Sequence, residues 1–390
     1  MSHVFEDVAR DLGRSTMPTV LSGTSAGGIN AAALAAFADD PAEGVKRVRE
    51  AWTELQLARA VRPSSVELLS MLLDIVGTPV TLRRALRVFE IRGGLLDPAP
   101  ILHQIAKAPL ERIAEHLRSG RLHGVAVSAT RVADGAAMVF HQGVAVTPWL
   151  PRELVRPVAT HIGVEHVLAS ASIPLLFPPV QIGEALFCDG GLRQLVPLSP
   201  AIHLGATRLL VADPLPVSPP LEDGVGAGRM LGTSPLFLAG KALNALFADR
   251  VEVDLARLER TNAILRAGRR RYGPSFEREL DIELTRDGHD ALHEIAAVRI
   301  KPAQDLGRLA AEYVVSRTFA SRAPGPEGTL LRWIADGDPE RAGDLLAYLM
   351  FDGGFTAQLV ELGRADARAR HEELCALFAP AESIALRSPA

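Results

Sequence analysis

The sequence predicts an α/β fold in its first half and a mostly helical second half. Three observations predict it. Near the start, an apolar run over residues 18–22, a turn at Gly23 and an Ala-rich stretch over 26–37 follow without a break, the pattern of a tight strand–turn–helix unit. Short apolar and β-branched runs over 122–129, 136–141, 180–182, 185–188 and 207–212 then recur, broken by Gly and Pro, as strands do. Beyond Asp213 a Pro- and Gly-rich stretch (Pro214, Pro216, Pro219, Pro220, Gly224, Gly226, Gly228) opens a region dominated by helical periodicity.

The elements follow in order. Residues 4–12 read as a short helix with Val4, Phe5, Val8, Ala9 and Leu12 on its apolar side. Helices are expected over 43–58, 64–75, 82–89 and 98–117, the last opened by Asp97-Pro98 as cap and first turn. Ala133-Asp134-Gly135 is a hairpin turn between the runs 122–129 and 136–141. A helix over 164–171 leads into Ile173-Pro174 and Phe177-Pro178-Pro179, and Asp189-Gly190-Gly191 ends the strand 185–188. The run 207–212 reads as a last buried strand. Further on, helices are expected over 236–270, 305–319, 328–335, 342–350 and 357–377, with one strand at 295–300.

Composition narrows the function. The chain has 390 residues, 48% of them hydrophobic and 23% charged, an ordinary globular balance. At roughly 150 residues per domain it is long enough for two domains or one with an extension. Formal net charge is −4, so there is no basic excess to bind nucleic acid. Only Lys46, Lys107, Lys241 and Lys301 are Lys, and the remaining basic residues are Arg. Cys188 and Cys375 are too few for a disulfide framework or a Cys-based zinc site, and they suit a reducing cytoplasm. The N-terminus lacks the basic and apolar regions of a secretory signal, and no run of about 18 apolar residues occurs.

The most specific local pattern is Gly23-Thr24-Ser25-Ala26-Gly27, a G-x-S-x-G between a predicted strand and a predicted helix. In that context the turn is sharp, small flanking residues let the backbone double back, and Ser25 stands at a helix N-terminus. The Ala26 N–H and the helix dipole then point toward an oxyanion formed there. The plain alternative is that Ser25 only caps the helix. A nucleophilic serine needs a base. An order Ser25, Asp189, His203 resembles an α/β-hydrolase triad, but Ser25 comes too early for the strands that such a fold places before its elbow. Asp189, at the end of an apolar strand and followed by Gly190 and Gly191, is the better partner: a carboxylate takes a serine proton directly when it lies within about 3 Å and is shielded from water. Read alone, Asp189 is also an ordinary turn former. His289 and His293, four apart on a possible helix, have no third ligand and read as surface imidazoles rather than a metal pair.

Gly23-Thr24-Ser25-Ala26-Gly27-Gly28, then Ala169-Ser170-Ala171-Ser172-Ile173-Pro174 with Phe177-Pro178-Pro179, then Asp189-Gly190-Gly191, in this order and with Ser25 and Asp189 164 residues apart, resemble the patatin-like phospholipases. The likeness spans roughly residues 15–215, and the stretch 344–353 is similar to the C-terminal extension of bacterial members. It implies a three-layer α/β/α sheet, with an acyl hydrolase domain over 1–202 and, over 203–390, a last core strand, a linker and a helical extension. It also implies a Ser25–Asp189 dyad without histidine, no metal or cofactor, and a lipid ester as substrate: phospholipid, lysophospholipid or acylglycerol. Transient contact with a membrane surface from the cytoplasmic side fits that substrate. The resemblance further implies a Gly-rich oxyanion loop of the type G-G-G-x-[RK]-G before the first helix. Nothing between Met1 and Ser22 matches it, and Gly93-Gly94 is the one pair considered as a replacement. The rival reading is therefore a lipid-binding or scaffold protein that keeps the dyad and turns over weakly. The apolar stretches 64–80 and 231–247 read as buried helices or as a cap and lid over an acyl pocket. The cluster Arg266-Ala267-Gly268-Arg269-Arg270-Arg271 reads as a solvated face or a headgroup contact.

Overall fold

The computed structural model describes residues 1–60, 94, 96–145, 149, 154–194, 196–214, 250–287, 289, 291–336 and 339–380. The stretches 64–80, 82–89 and 231–247, Gly93 and the linker beyond Pro214 lie outside them.

A π-helical turn, Val4–Val8, runs into α1 (Ala9–Leu12), followed by β1 (Val20–Thr24) and α2 (Ala26–Ala36). α3 (Pro41–Thr53) is capped by Asp40, whose carboxylate accepts from the Glu43 N–H at 3.0 Å, and α4 (Leu57–Ala60) follows. The expected helix 98–117 is two, α5 (Ala99–Ala106) and α6 (Arg112–Arg118): Pro109 has no N–H to donate and restricts Ala108 before it, so the helix stops. Then come β2 (Gly124–Arg131), β3 (Ala137–Gly143), β4 (Val155–Ala159), α7 (Val164–Ser170), β5 (Val180–Ile182), β6 (Ala185–Asp189), α8 (Leu198–His203) and β7 (Arg208–Ala212). The distal part contains α9 (Arg250–Tyr272), α10 (Phe276–Arg286), β8 (Ala296–Ile300), α11 (Leu306–Val314), α12 (Arg317–Arg322), α13 (Pro326–Asp336), α14 (Pro339–Leu349), α15 (Gly353–Ala369) and α16 (His371–Phe378).

Among the described residues the main sheet runs β4-β3-β2-β6-β5, with β1 parallel to β2 as well. β2 is central and buried along nearly its whole length. Its alternation divides the core. Val125 and Val127 join α2 on one face, and Ala126 meets Leu204 at the end of α8 on the other. Helices on both faces of a mixed sheet make the three-layer α/β/α arrangement. The run 207–212 is not a further strand of that sheet: β7 pairs in parallel with β8, from the distal half, in a two-stranded sheet of its own. His289 and His293 do not share a helix, because α10 ends at Arg286.

The helical second half packs into the same core as the first. Leu21, Ile29, Val125 and Phe177 share one buried cluster with Val314, Phe319, Leu346 and Phe355. At the ends of the chain, Asp7, His3, His371 and Asp11 form a hydrogen-bonded series of 2.8, 3.0 and 3.0 Å that ties the first turn to α16. No helix among the described residues is long and apolar enough to cross a membrane.

Candidate active site

β2 brings the two ends of the site together. β1 and β6 lie end to end along the same edge of β2, with Thr24 opposite Ser128 and Asp189 opposite the next residue, Ala129. The chain leaving β1 is Ser25, so its side chain and the Asp189 carboxylate arrive at one point from opposite directions.

Ser25 is held at φ 56° and ψ −130°, a conformation that costs a non-glycine residue about 1–3 kcal/mol and persists only where the surroundings impose it. Those surroundings are specific. A Cβ on Gly23 would stand 2.1 Å from the Gly27 carbonyl oxygen, so only glycine lets α2 double back over β1. From below, the fully buried Ser170 hydroxyl accepts from the Ser25 N–H at 3.0 Å and donates to the Ser128 carbonyl at 2.6 Å, tying the bend to both α7 and β2. Ser170→Ala is expected to leave that N–H unpaired and to lower stability by about 1–3 kcal/mol, seen as an earlier urea midpoint with unchanged slope.

Asp189 has no exposed surface. Its N–H donates to the Ser172 carbonyl at 2.9 Å, its carbonyl accepts from Thr130 Oγ1 at 2.9 Å, and its Oδ1 accepts from the Gly191 N–H at 2.7 Å. Burial drives its pKa up to about 7, against the Ser25 hydroxyl and the Gly191 N–H, which draw it back. Oδ2 has no partner in regular hydrogen-bond geometry, so the Ser25 contact is slack in the resting site. Gly190 must be glycine for space: its Cβ would meet the Ser128 carbonyl oxygen at 2.2 Å. Beside it, burial and the Asp189 charge push the Cys188 thiol up to about 11, which keeps it inert as a nucleophile.

At the start of α2, the Gly28 and Ile29 N–H groups donate to the Ser25 carbonyl, whereas those of Ala26 and Gly27 bond no described residue and both residues are exposed. These two donors, at the positive end of the helix, are what the described site offers to a developing negative charge. Gly94 sits where a Cβ would strike the Phe177 backbone at 2.6 Å, so it serves the packing of residues 176–178. His203 is on the opposite face of the sheet, with Nδ1 at 2.9 Å from the Ser199 carbonyl and its ring stacked on Trp149 at 4.7 Å. Among the described residues no histidine hydrogen-bonds to Ser25 or Asp189, and no group of three or more His, Cys, Asp or Glu side chains is placed to hold a metal ion.

Two residues at the site have no local signature. Ser170 lies within the Ala169–Pro174 motif, but its bracing role depends on α7 packing on β2 beside the end of β1. Tyr348, on α14, is drawn upward in pKa by burial, then by Asp344 and by the charge of Asp189, which places a phenol from the distal half within electrostatic reach of the carboxylate. Nearby, Phe351 meets Phe177 edge to face at 5.4 Å.

A serine raised on a strained strand–helix bend, above a mixed three-layer α/β/α sheet and against a buried carboxylate, defines an α/β protein of the acyl-hydrolase class. The model of the patatin-like phospholipase family matches residues 7–202, and the chain belongs to that family. Its membership places it among the hydrolases of lipid esters. No curated protein matches the sequence.

Proposed function

We propose that Ser25 and Asp189 act as a dyad that cleaves the carboxylic esters of lipids (phospholipid, lysophospholipid or acylglycerol) through an acyl-enzyme. The ionised Asp189 carboxylate takes the Ser25 proton as Oγ bonds to the carbonyl carbon. The carbonyl electron pair moves onto oxygen, where the Ala26 and Gly27 N–H groups meet it. Collapse of this intermediate breaks the bond to the alcohol oxygen, which leaves with the proton from Asp189. Asp189 then takes a proton from water, the water oxygen attacks the acyl carbon, and Ser25 leaves and recovers that proton. The products are a fatty acid and an alcohol, and the route uses no metal or cofactor.

The observation that carries this reading is the fully buried Asp189 carboxylate beside Ser25 with a pKa raised to about 7, where one group serves both as base and as acid near neutral pH. The test uses p-nitrophenyl esters of graded chain length, with mass spectrometry of the quenched protein. The unmodified chain is expected to turn over saturably and to carry an acyl group on Ser25. Ser25→Ala should lower turnover at least about a thousandfold and carry none. Absence of turnover and of any Ser25 adduct in the unmodified chain overturns the reading.

A further inference from the structure

Away from Ser25 and Asp189, a polar cavity of about 370 Å³ opens where the C-terminal end of α3 meets α4, α5 and α12. Arg59, His103, Lys107 and Arg322 line it, with Glu54 as its lining acid. The side chains of Arg59 and His103 make no ion pair or hydrogen bond with any described residue, and both residues are exposed. Lys107 pairs with Glu54 at 3.3 Å, a contact between two half-exposed chains that adds little. Arg322, also on the lining, donates its Nε to the buried Asp352 at 3.1 Å to each oxygen and is anchored there. Cations from three helices thus converge with a surplus of positive charge, which a tetrahedral anion satisfies by accepting from several donors at once. Gln104 also lines the cavity, and its Oε1, shielded from solvent, has no donor, so an unsatisfied acceptor stands in the wall of the site.

We propose that this cavity binds the phosphate of a hydroxyl-bearing phosphate ester, either free in solution or as the headgroup of a lipid. The inference is independent of the Ser25–Asp189 chemistry and its test reads binding alone. The full chain is titrated calorimetrically with glycerol 3-phosphate, with glycerol as control, and is separately floated with vesicles of phosphatidylglycerol or of phosphatidylcholine. Arg59→Gln and Lys107→Gln are compared with Arg286→Gln, an exposed α10 arginine that is not part of the cavity lining, after thermal melts confirm that all three are folded. Saturable binding of glycerol 3-phosphate, weakened about tenfold or more by each cavity variant and unmoved by Arg286→Gln, supports the site with a soluble ligand. The same losses seen only with phosphatidylglycerol vesicles support it with a lipid headgroup. No saturable binding of either probe, equal binding by the cavity variants, or an equal loss in Arg286→Gln overturns it.

Discussion

Asp189→Asn is expected to abolish turnover and, at alkaline pH, to make the protein harder to unfold. Both effects come from one fact: a carboxylate without exposed surface, whose pKa is about 7 in the folded chain. Below the ordinary carboxylate range both folded and unfolded chains hold the proton, and burial costs nothing through this group. As pH rises past about 4 the unfolded chain gives up its proton while the folded chain keeps it, so stability falls. The fall ends near pH 7, where the folded carboxyl ionises too, and the deficit then stays constant. A rise of about three pH units corresponds to a deficit on the order of 4 kcal/mol at pH 9. Asparagine is neutral and nearly the same shape, its oxygen still accepts from the Gly191 N–H, and it escapes this deficit. Urea unfolding of both chains at pH 5 and pH 9 isolates the effect, because every other titrating group is shared. At pH 5 the deficit is already on the order of 2 kcal/mol, so the variant's advantage over the unmodified chain should grow by roughly a further 2–3 kcal/mol between pH 5 and pH 9. An Asn variant no more stable at pH 9 contradicts the raised pKa.

The catalytic half of this expectation has its own pH signature. If the ionised carboxylate is the base, kcat/KM for a p-nitrophenyl ester rises with pH through an apparent pKa near 7 and levels off above it. Asp189→Asn should sit at least about a thousandfold below and show no such rise. A flat profile from pH 5 to 9 in the unmodified chain would mean that the carboxylate is already ionised at pH 5. On the proposed mechanism the site gives up stability for a base of useful strength, and the loss is greatest at the pH where that base would act.

Parts of this arrangement are legible in the sequence because they are local. A strand, a glycine, a serine and an Ala-rich helix are consecutive, so the bend at Ser25 follows from steric rules that act over five residues. Asp189 closes an apolar strand, and the two glycines after it announce a tight passage. What brings them together is not local: β2, which presents Ser128 and Ala129 side by side, is a run of apolar residues without any mark of being central. β4 has no signature in the sequence, because its five residues include Pro157 and are only partly buried, so neither propensity nor alternation stands out. A short apolar strand does not name its partner, so 207–212 reads only as a last core strand, and its partner lies 88 residues away, in β8. Continuous helical patterns hid the breaks at Pro109 and between α11 and α12, where Ser316 caps a new helix by accepting from the Phe319 N–H. Ser170 and Tyr348 were invisible as site residues for the same reason as β2: their contacts exist only once distant segments have packed.

The two glycines of Gly23-Thr24-Ser25-Ala26-Gly27 look equivalent in sequence, and the structure separates them. A methyl group on Gly23 would stand 2.1, 2.3 and 2.6 Å from the Gly27 oxygen, the Gly27 carbonyl carbon and the Gly28 nitrogen. All three are backbone atoms of the first turn of α2, so no side chain can swing aside; either the helix moves off β1 or the bend at Ser25 opens. Gly23→Ala is therefore expected to cost about 3–5 kcal/mol, at the severe end of single substitutions, and to lose turnover even in molecules that remain folded. A Cβ on Gly27 meets nothing within 4 Å. Gly27→Ala should fold as well as the unmodified chain or slightly better, since alanine is the better helix former by up to about 1 kcal/mol. Its methyl group would instead stand on the residue that carries one of the two free N–H donors, so its effect should fall on kcat/KM, more for bulky esters than for short ones. Urea midpoints and ester kinetics on the pair decide the matter. If Gly27→Ala proves as destabilising as Gly23→Ala, the helix start packs more tightly than described. If Gly23→Ala proves harmless, the bend that presents Ser25 does not depend on the close approach of β1 and α2.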